Sequence, residues 1–114
     1  MLVPDLAAWR RERLPSPTGP FLAVAPDWIC EALSPSTARV DRVEKLRIYA
    51  REGVEHVWLL DPAARTLEVL ARDGQQWRHL GTWADDERVR APPFDVLELE
   101  IAALWAPRPP EAPR

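Results

Sequence analysis

Short apolar runs alternate with polar, turn-forming stretches along this chain, and the clearest run covers residues 25–33. Pro26 and Pro35 bound it, and Glu31 is its one interior charge. A nearly continuous apolar run of this length is typical of a strand that is covered on both faces. The pattern therefore predicts a buried strand that contains one carboxylate.

A helix is predicted directly after this strand. The hydroxyls of residues 34–37 can accept hydrogen bonds from the unpaired amides of a helix start, and Gly53 can end the helix. The helix is therefore expected over about residues 38–52.

Further strands are predicted on both sides of this strand and helix. Residues 2–6 are expected to form a strand that runs into Asp5, and residues 10–20 an exposed charged loop. After the helix, an antiparallel meander is expected, with a hairpin turn at Gly74, because glycine tolerates positive φ. Its three strands are predicted at residues 54–61, 65–71 and 75–83. An edge strand at residues 96–100 and a short helix at residues 101–105 complete the prediction.

The predicted order is strand, strand, helix, strand, strand, strand. It indicates an α/β domain, more closely an α+β mixed sheet with one main crossover helix. The domain is expected to span residues 1–105. Residues 106–114 contain no apolar side chain larger than alanine or proline, so they are predicted to be a disordered tail.

Composition excludes several classes of protein. No run of 18 apolar residues occurs and the start lacks the layout of a signal peptide, so we expect a cytoplasmic protein without a membrane partner. The single Cys30 excludes an internal disulfide and an all-cysteine metal site. The net charge of −3 means that any surface that binds nucleic acid must be local.

Strand geometry selects a pair of carboxylates that could hold a metal ion. Asp27 and Glu31 share a strand but lie about 13 Å apart. Asp5 and Glu31 lie on neighbouring elements, and we expect their carboxylates within about 6 Å of each other. Two carboxylates with water and a substrate phosphate suffice for Mg²⁺. The alternatives are that Glu31 pairs with an arginine or reaches solvent, and that Asp5 is a turn residue.

Lys45 is the only lysine in an otherwise arginine-based set of cations. On the predicted helix it lies on a ridge with Asp41 and Tyr49, at i, i+4 and i+8, away from the solvent face that Glu44 and Arg47 define. Lys45 is therefore a candidate for chemistry. The alternative is an ion pair with Asp41, worth about 0.3 to 0.5 kcal/mol at an exposed site.

The chain resembles the Uma-two family of bacterial proteins described as endonucleases, which has the PD-(D/E)XK, restriction-endonuclease-like fold. The matching stretches are residues 2–13, residues 26–37, then Asp41, Lys45 and Tyr49, and residues 53–62. The resemblance covers about residues 2–105. It implies a metal-dependent endonuclease that hydrolyses DNA phosphodiester bonds with Mg²⁺ or Mn²⁺.

The resemblance also implies roles for individual residues. Asp5 matches the motif aspartate and Glu31 the strand glutamate, both metal ligands in this fold. Leu33 stands where the lysine of an E-x-K motif would be, so Lys45 matches a lysine that has moved to the helix. An ammonium group near the scissile phosphate can position or help deprotonate the attacking water. Arg10, Arg11 and Arg13 are possible phosphate contacts; the alternative is a solvated charged loop.

Family members have additional residues before the aspartate strand, so this chain is expected to lack the usual N-terminal helices. The resemblance then leaves open a catalytically inactive remnant that acts as a nucleic-acid or protein interaction module. A further expectation is a homodimer, because one helix cannot cover all the apolar surface of the strands. The apolar residues concerned are Trp58, Leu60, Leu67, Val69 and Trp77.

Overall fold

The structure is a computed structural model, and it describes residues 5–13, 24–33 and 38–105, with the side chains of the helix described from Arg42 onward. Sequence predictions for residues 1–4, 14–23, 34–37 and 106–114, the tail among them, lie outside the described residues.

A five-stranded mixed sheet and one α-helix form the body of the molecule. The elements are β1 Leu6–Ala8, β2 Trp28–Ala32, α1 Ala38–Glu52, β3 His56–Asp61, β4 Thr66–Asp73, β5 Gln76–Ala84, β6 Arg88–Val89 and β7 Leu99–Glu100, with short 3-10 turns at Arg11–Arg13 and Ile101–Leu104. The strands of the main sheet lie in the order β1-β2-β3-β4-β5. Strands β2 and β3 are parallel and α1 connects them, whereas the other pairs are antiparallel. The predicted fold class is confirmed.

Glycines define two of the predicted boundaries. Gly53 has φ +85° directly after α1, and the Val54 N–H donates to the Tyr49 carbonyl at 3.0 Å, which closes the end of the helix. Gly74 has φ +62° in the hairpin between β4 and β5. Both sites require a backbone conformation that other residues rarely adopt, so the sequence locates them well.

The first strand differs from the prediction. Strand β1 follows Asp5 instead of ending there, because its pairing with β2 runs from Leu6 opposite Cys30 to Ala8 opposite Trp28. Asp5 therefore lies at the entrance of the strand.

The carboxy-terminal region also differs. The predicted edge strand shortens to β7, which pairs with β6 in a second, two-stranded sheet. Strand β6 has two residues, too few for a recognisable alternation of polar and apolar positions.

The two faces of the main sheet have separate cores because side chains alternate along a strand. The face under α1 holds Ile29, Tyr49, Val54, Val57, Leu59 and Leu70. The opposite face holds Cys30, Trp58, Leu67, Val69, Val89, Ala91, Ile101 and Trp105. None of the helices in the described parts of the chain is long and apolar enough to cross a membrane.

The face expected to be uncovered is in fact covered. Residues 88–105 fold back over it, and Leu67 and Val69 are fully buried. Trp28, Trp58 and Phe94 pack there as T-shaped pairs with ring centroids 5.1 to 5.7 Å apart. No local pattern predicts this layer, because its apolar residues are irregularly spaced along the chain. An uncovered face of this sheet therefore no longer supports association.

The covering segment should be essential for stability. Ile101→Ala is expected to lower the free energy of unfolding by about 2 to 5 kcal/mol, because Ile101 is fully buried against the sheet. Leu104→Ala on the same turn removes a side chain that is 41% exposed, so a change of only about 0.5 kcal/mol is expected. Urea denaturation measures both, and equal losses would contradict the assigned packing.

Candidate functional site

Glu31 lies on the face of β2 that α1 covers, and it is buried, with 4% of its surface exposed. Both of its carboxylate oxygens contact the helix. The Tyr49 hydroxyl donates a hydrogen bond to Oε1, and the Lys45 ammonium lies 3.2 Å from Oε2. These two contacts provide the charge and the hydrogen bond that a buried carboxylate requires.

The helix presents these two groups together because Lys45 and Tyr49 are four residues apart, so they lie on the same side of α1. Lys45 is half-buried and Tyr49 is buried, whereas Glu44 and Arg47 are exposed, as the helical projection predicted. Burial raises the pKa of Tyr49, and the hydrogen bond to Glu31 and its charge raise it further. The phenol is therefore a neutral donor at physiological pH.

Asp5 lies at the same end of β2. Its Oδ2 accepts a hydrogen bond from the Ala32 N–H at 2.7 Å, directly after Glu31. Extending the antiparallel register of β1 and β2 by one pair places Asp5 opposite Glu31, and directly opposed residues share a face. Asp5 is exposed, so the pair joins one buried and one accessible carboxylate.

Cys30, next to Glu31 on β2, is buried on the opposite face of the sheet. Burial raises the pKa of its thiol to about 12, and the negative charges of Asp5 and Glu31 add to this effect. Two acids that are 26 positions apart in sequence thus act on one side chain of β2. The separation of their carboxylates stays a prediction.

Comparison with known proteins identifies the family to which the chain belongs. The family model Uma2, described as “Putative restriction endonuclease”, matches residues 1–103. The chain belongs to the Uma2 family. A similar solved structure, from Anabaena variabilis, is described as “a putative nuclease belonging to DUF820”; it has 28% sequence identity and a TM-score of 0.68. The match covers 91% of this chain and 59% of that one, so this chain spans about three fifths of its structural relative. No curated protein matches the sequence.

The three arginines proposed as phosphate contacts are not brought together with Asp5 and Glu31 in this Uma2 chain. They follow β1, and its antiparallel pairing places them at the opposite end of β2. There Arg13 pairs with Asp27, whose Oδ2 also accepts from the Arg10 N–H at 2.6 Å. The Arg10 side chain pairs with Glu55 at 3.1 Å, and Arg11 is exposed. Two of the three guanidinium groups are thus engaged in ion pairs within the chain.

The carboxylate oxygens at this site are ligands of the kind that a hard cation prefers. The described residues contain no group of three or more histidine, cysteine, aspartate or glutamate side chains that could hold a metal ion. Asp5 and Glu31 offer two carboxylates, which fit a Mg²⁺ site completed by water and a substrate phosphate. A zinc-type site with four protein ligands does not fit these residues.

Tyr49 is the residue that sequence reasoning left out of the site. Its signal was the ridge of Asp41, Lys45 and Tyr49 on the predicted helix, which drew attention to Lys45 alone. The side chain of Asp41 lies outside the described part of the structure, and Lys45 pairs with Glu31. A tyrosine on the buried side of a helix is typical of a core residue. Its polar partner becomes known only when the strand beneath the helix is known.

The raised pKa of Cys30 predicts that its thiol is inert in the folded protein. At pH 8, a thiol with a pKa of about 12 is a thiolate in only about one molecule in 10⁴. A colorimetric disulfide reagent should therefore label the native protein very slowly and the urea-unfolded protein rapidly. Rapid stoichiometric labelling of the native chain would contradict the burial of Cys30.

Proposed function

We propose that this chain is a metal-dependent endonuclease that hydrolyses DNA phosphodiester bonds. Asp5 and Glu31 would hold Mg²⁺ or Mn²⁺, and Lys45 would act on the reacting groups. Family membership supports the nuclease class. The observation that best supports the site is the buried Glu31 carboxylate with the only lysine of the chain 3.2 Å from its Oε2.

Each residue has a distinct task in this proposal. Glu31 is the fixed ligand because α1 holds both of its oxygens, whereas the exposed Asp5 is open to a metal ion and its waters. A divalent cation bound there supplies Lewis-acid stabilisation of phosphate charge and lowers the pKa of a bound water. Lys45 is half-buried, and its ammonium can orient a water or offset negative charge on the phosphate.

The proposal places DNA contacts near one end of β2. The whole chain carries a net charge of −3, so the cation and Lys45 must supply much of the local attraction for phosphate. Any contact made by Arg10, Arg11 or Arg13 would lie about four strand residues, or roughly 13 Å, from Glu31. These arginines would therefore bind DNA away from the scissile phosphate.

Glu31→Gln tests the catalytic proposal. It removes one negative charge and little volume, so Mg²⁺-dependent cleavage of plasmid DNA should be abolished while circular dichroism shows a retained fold. Glu44→Gln is the matched control, because it makes the same change at an exposed position on α1 and should cleave like the wild type.

Two results would contradict the proposal in different ways. Retained cleavage by Glu31→Gln would place the metal elsewhere. Absence of cleavage by the wild type with Mg²⁺ and with Mn²⁺, accompanied by salt-dependent retention on DNA, would favour the alternative of an inactive interaction module.

We also propose a homodimer. It is based on exposed apolar side chains and not on an uncovered face of the sheet. Val96 and Leu97 are consecutive apolar residues that are 82% and 58% exposed, and exposed apolar side chains favour association. We expect a two-fold dimer that buries more than about 1,000 Å² in total. Sedimentation at micromolar concentration should give twice the chain mass of 13.0 kDa, and a clean monomer would refute the dimer.

A further inference from the structure

Tyr49 does more than fill the core beneath α1. We propose that Tyr49 is a positioning residue, whose hydroxyl holds Oε1 of Glu31 and so presents Oε2 to a cation. This inference rests on the metal-binding role proposed above for Glu31. It adds a residue that acts through Glu31 and not directly on the metal or the substrate.

The contacts of Glu31 divide cleanly between its two oxygens. Tyr49 donates to Oε1, and Lys45 lies 3.2 Å from Oε2. A glutamate side chain has three rotatable bonds, and rotation about the last is broad, so an unheld carboxylate samples many orientations. A hydrogen bond to one oxygen restricts this rotation and fixes where the other oxygen points.

Tyr49 is itself held firmly enough to act as the fixed partner. Its side chain is 2% exposed and packs with Ile29, Val54 and Val57 in the core under α1. Its carbonyl accepts the Val54 N–H at 3.0 Å at the end of the helix. Because the ring of Tyr49 is packed in the core, it loses little conformational freedom when its hydroxyl donates. The core packing of Tyr49 therefore accounts for most of the entropy cost of holding Glu31.

A second consequence concerns Lys45. If Oε2 is the oxygen presented to cations, the ammonium of Lys45 and a bound metal ion compete for it, since both are positive and a close approach of the two is unfavourable. Removal of Lys45 should therefore strengthen metal binding, whereas removal of the Tyr49 hydroxyl should weaken it. Opposite changes in metal affinity for two variants on the same face of α1 distinguish a positioning role from general destabilisation, which would weaken binding in both.

The experiment measures Mn²⁺ binding to the full chain by calorimetry, together with the thermal midpoint of each metal-free variant. Tyr49→Phe is expected to weaken Mn²⁺ affinity about tenfold, the lower end of the loss typical for partners that orient a metal ligand. Lys45→Gln should bind Mn²⁺ severalfold more tightly than the wild type, although the metal-free variant should be less stable. Glu31→Gln should lose binding.

Arg42→Gln is the matched control. Arg42 also joins α1 to the sheet, through an ion pair with Glu68, and it does not contact Glu31 among the described contacts. This variant should lower the thermal midpoint only slightly, as expected for a partly exposed ion pair, while its Mn²⁺ affinity stays that of the wild type. It measures how a contact between α1 and the sheet that does not involve Glu31 affects the thermal midpoint and the Mn²⁺ affinity.

The outcomes separate the inference from the function on which it rests. Wild-type affinity in Tyr49→Phe would show a purely structural tyrosine and overturn the inference, while the metal site would stand. If Tyr49→Phe does not fold, Lys45→Gln still decides, because weaker Mn²⁺ binding in that variant would show that Oε2 is not the shared oxygen. No Mn²⁺ binding by either the wild type or Lys45→Gln would overturn the metal site and the inference together.

Discussion

The buried carboxylate of Glu31 is the constraint on which the rest of the structure depends. An unpaired charge in this position would cost several kcal/mol, so the carboxylate needs a cation and a hydrogen-bond donor at fixed places. Lys45 and Tyr49 meet both needs from one side of α1. Because α1 connects the parallel strands β2 and β3, the same contacts that satisfy Glu31 also set how the crossover helix lies on the sheet.

The two faces of the sheet serve different purposes. The face under α1 combines an apolar core with the polar group around Glu31 at one end of β2. The opposite face is covered by residues 88–105 and holds a larger aromatic and aliphatic cluster. A close-packed layer on that side keeps β2 in place, and this rigidity is what a site built from one strand and one helix requires.

The positively charged side chains in ion pairs also fall into two groups, arginines that pair with other acids and Lys45 beside Glu31. The ion pairs of Arg10 and Arg13 join segments that flank the strands, and that of Arg42 joins the helix to the sheet. Exposed pairs of this kind contribute little stability individually. They nevertheless occupy guanidinium groups that a basic surface would otherwise offer to phosphates. Positive charge at the candidate site is therefore local, and Lys45 is its described source on α1 beside Glu31.

The sequence by itself determined the order of α1 and the five strands of the main sheet, the bounds of α1, and Glu31 and Lys45 as candidates. These features depend on local signals: periodicity, a glycine at a required positive φ, and a single charge within an apolar run. Only the tertiary structure decided that Tyr49 holds Glu31, that Arg10 and Arg13 pair with Glu55 and Asp27, and that residues 88–105 cover the sheet. Such partners are brought together by folding across long separations in sequence, and no local pattern of residues specifies which of the available charges or apolar side chains will meet.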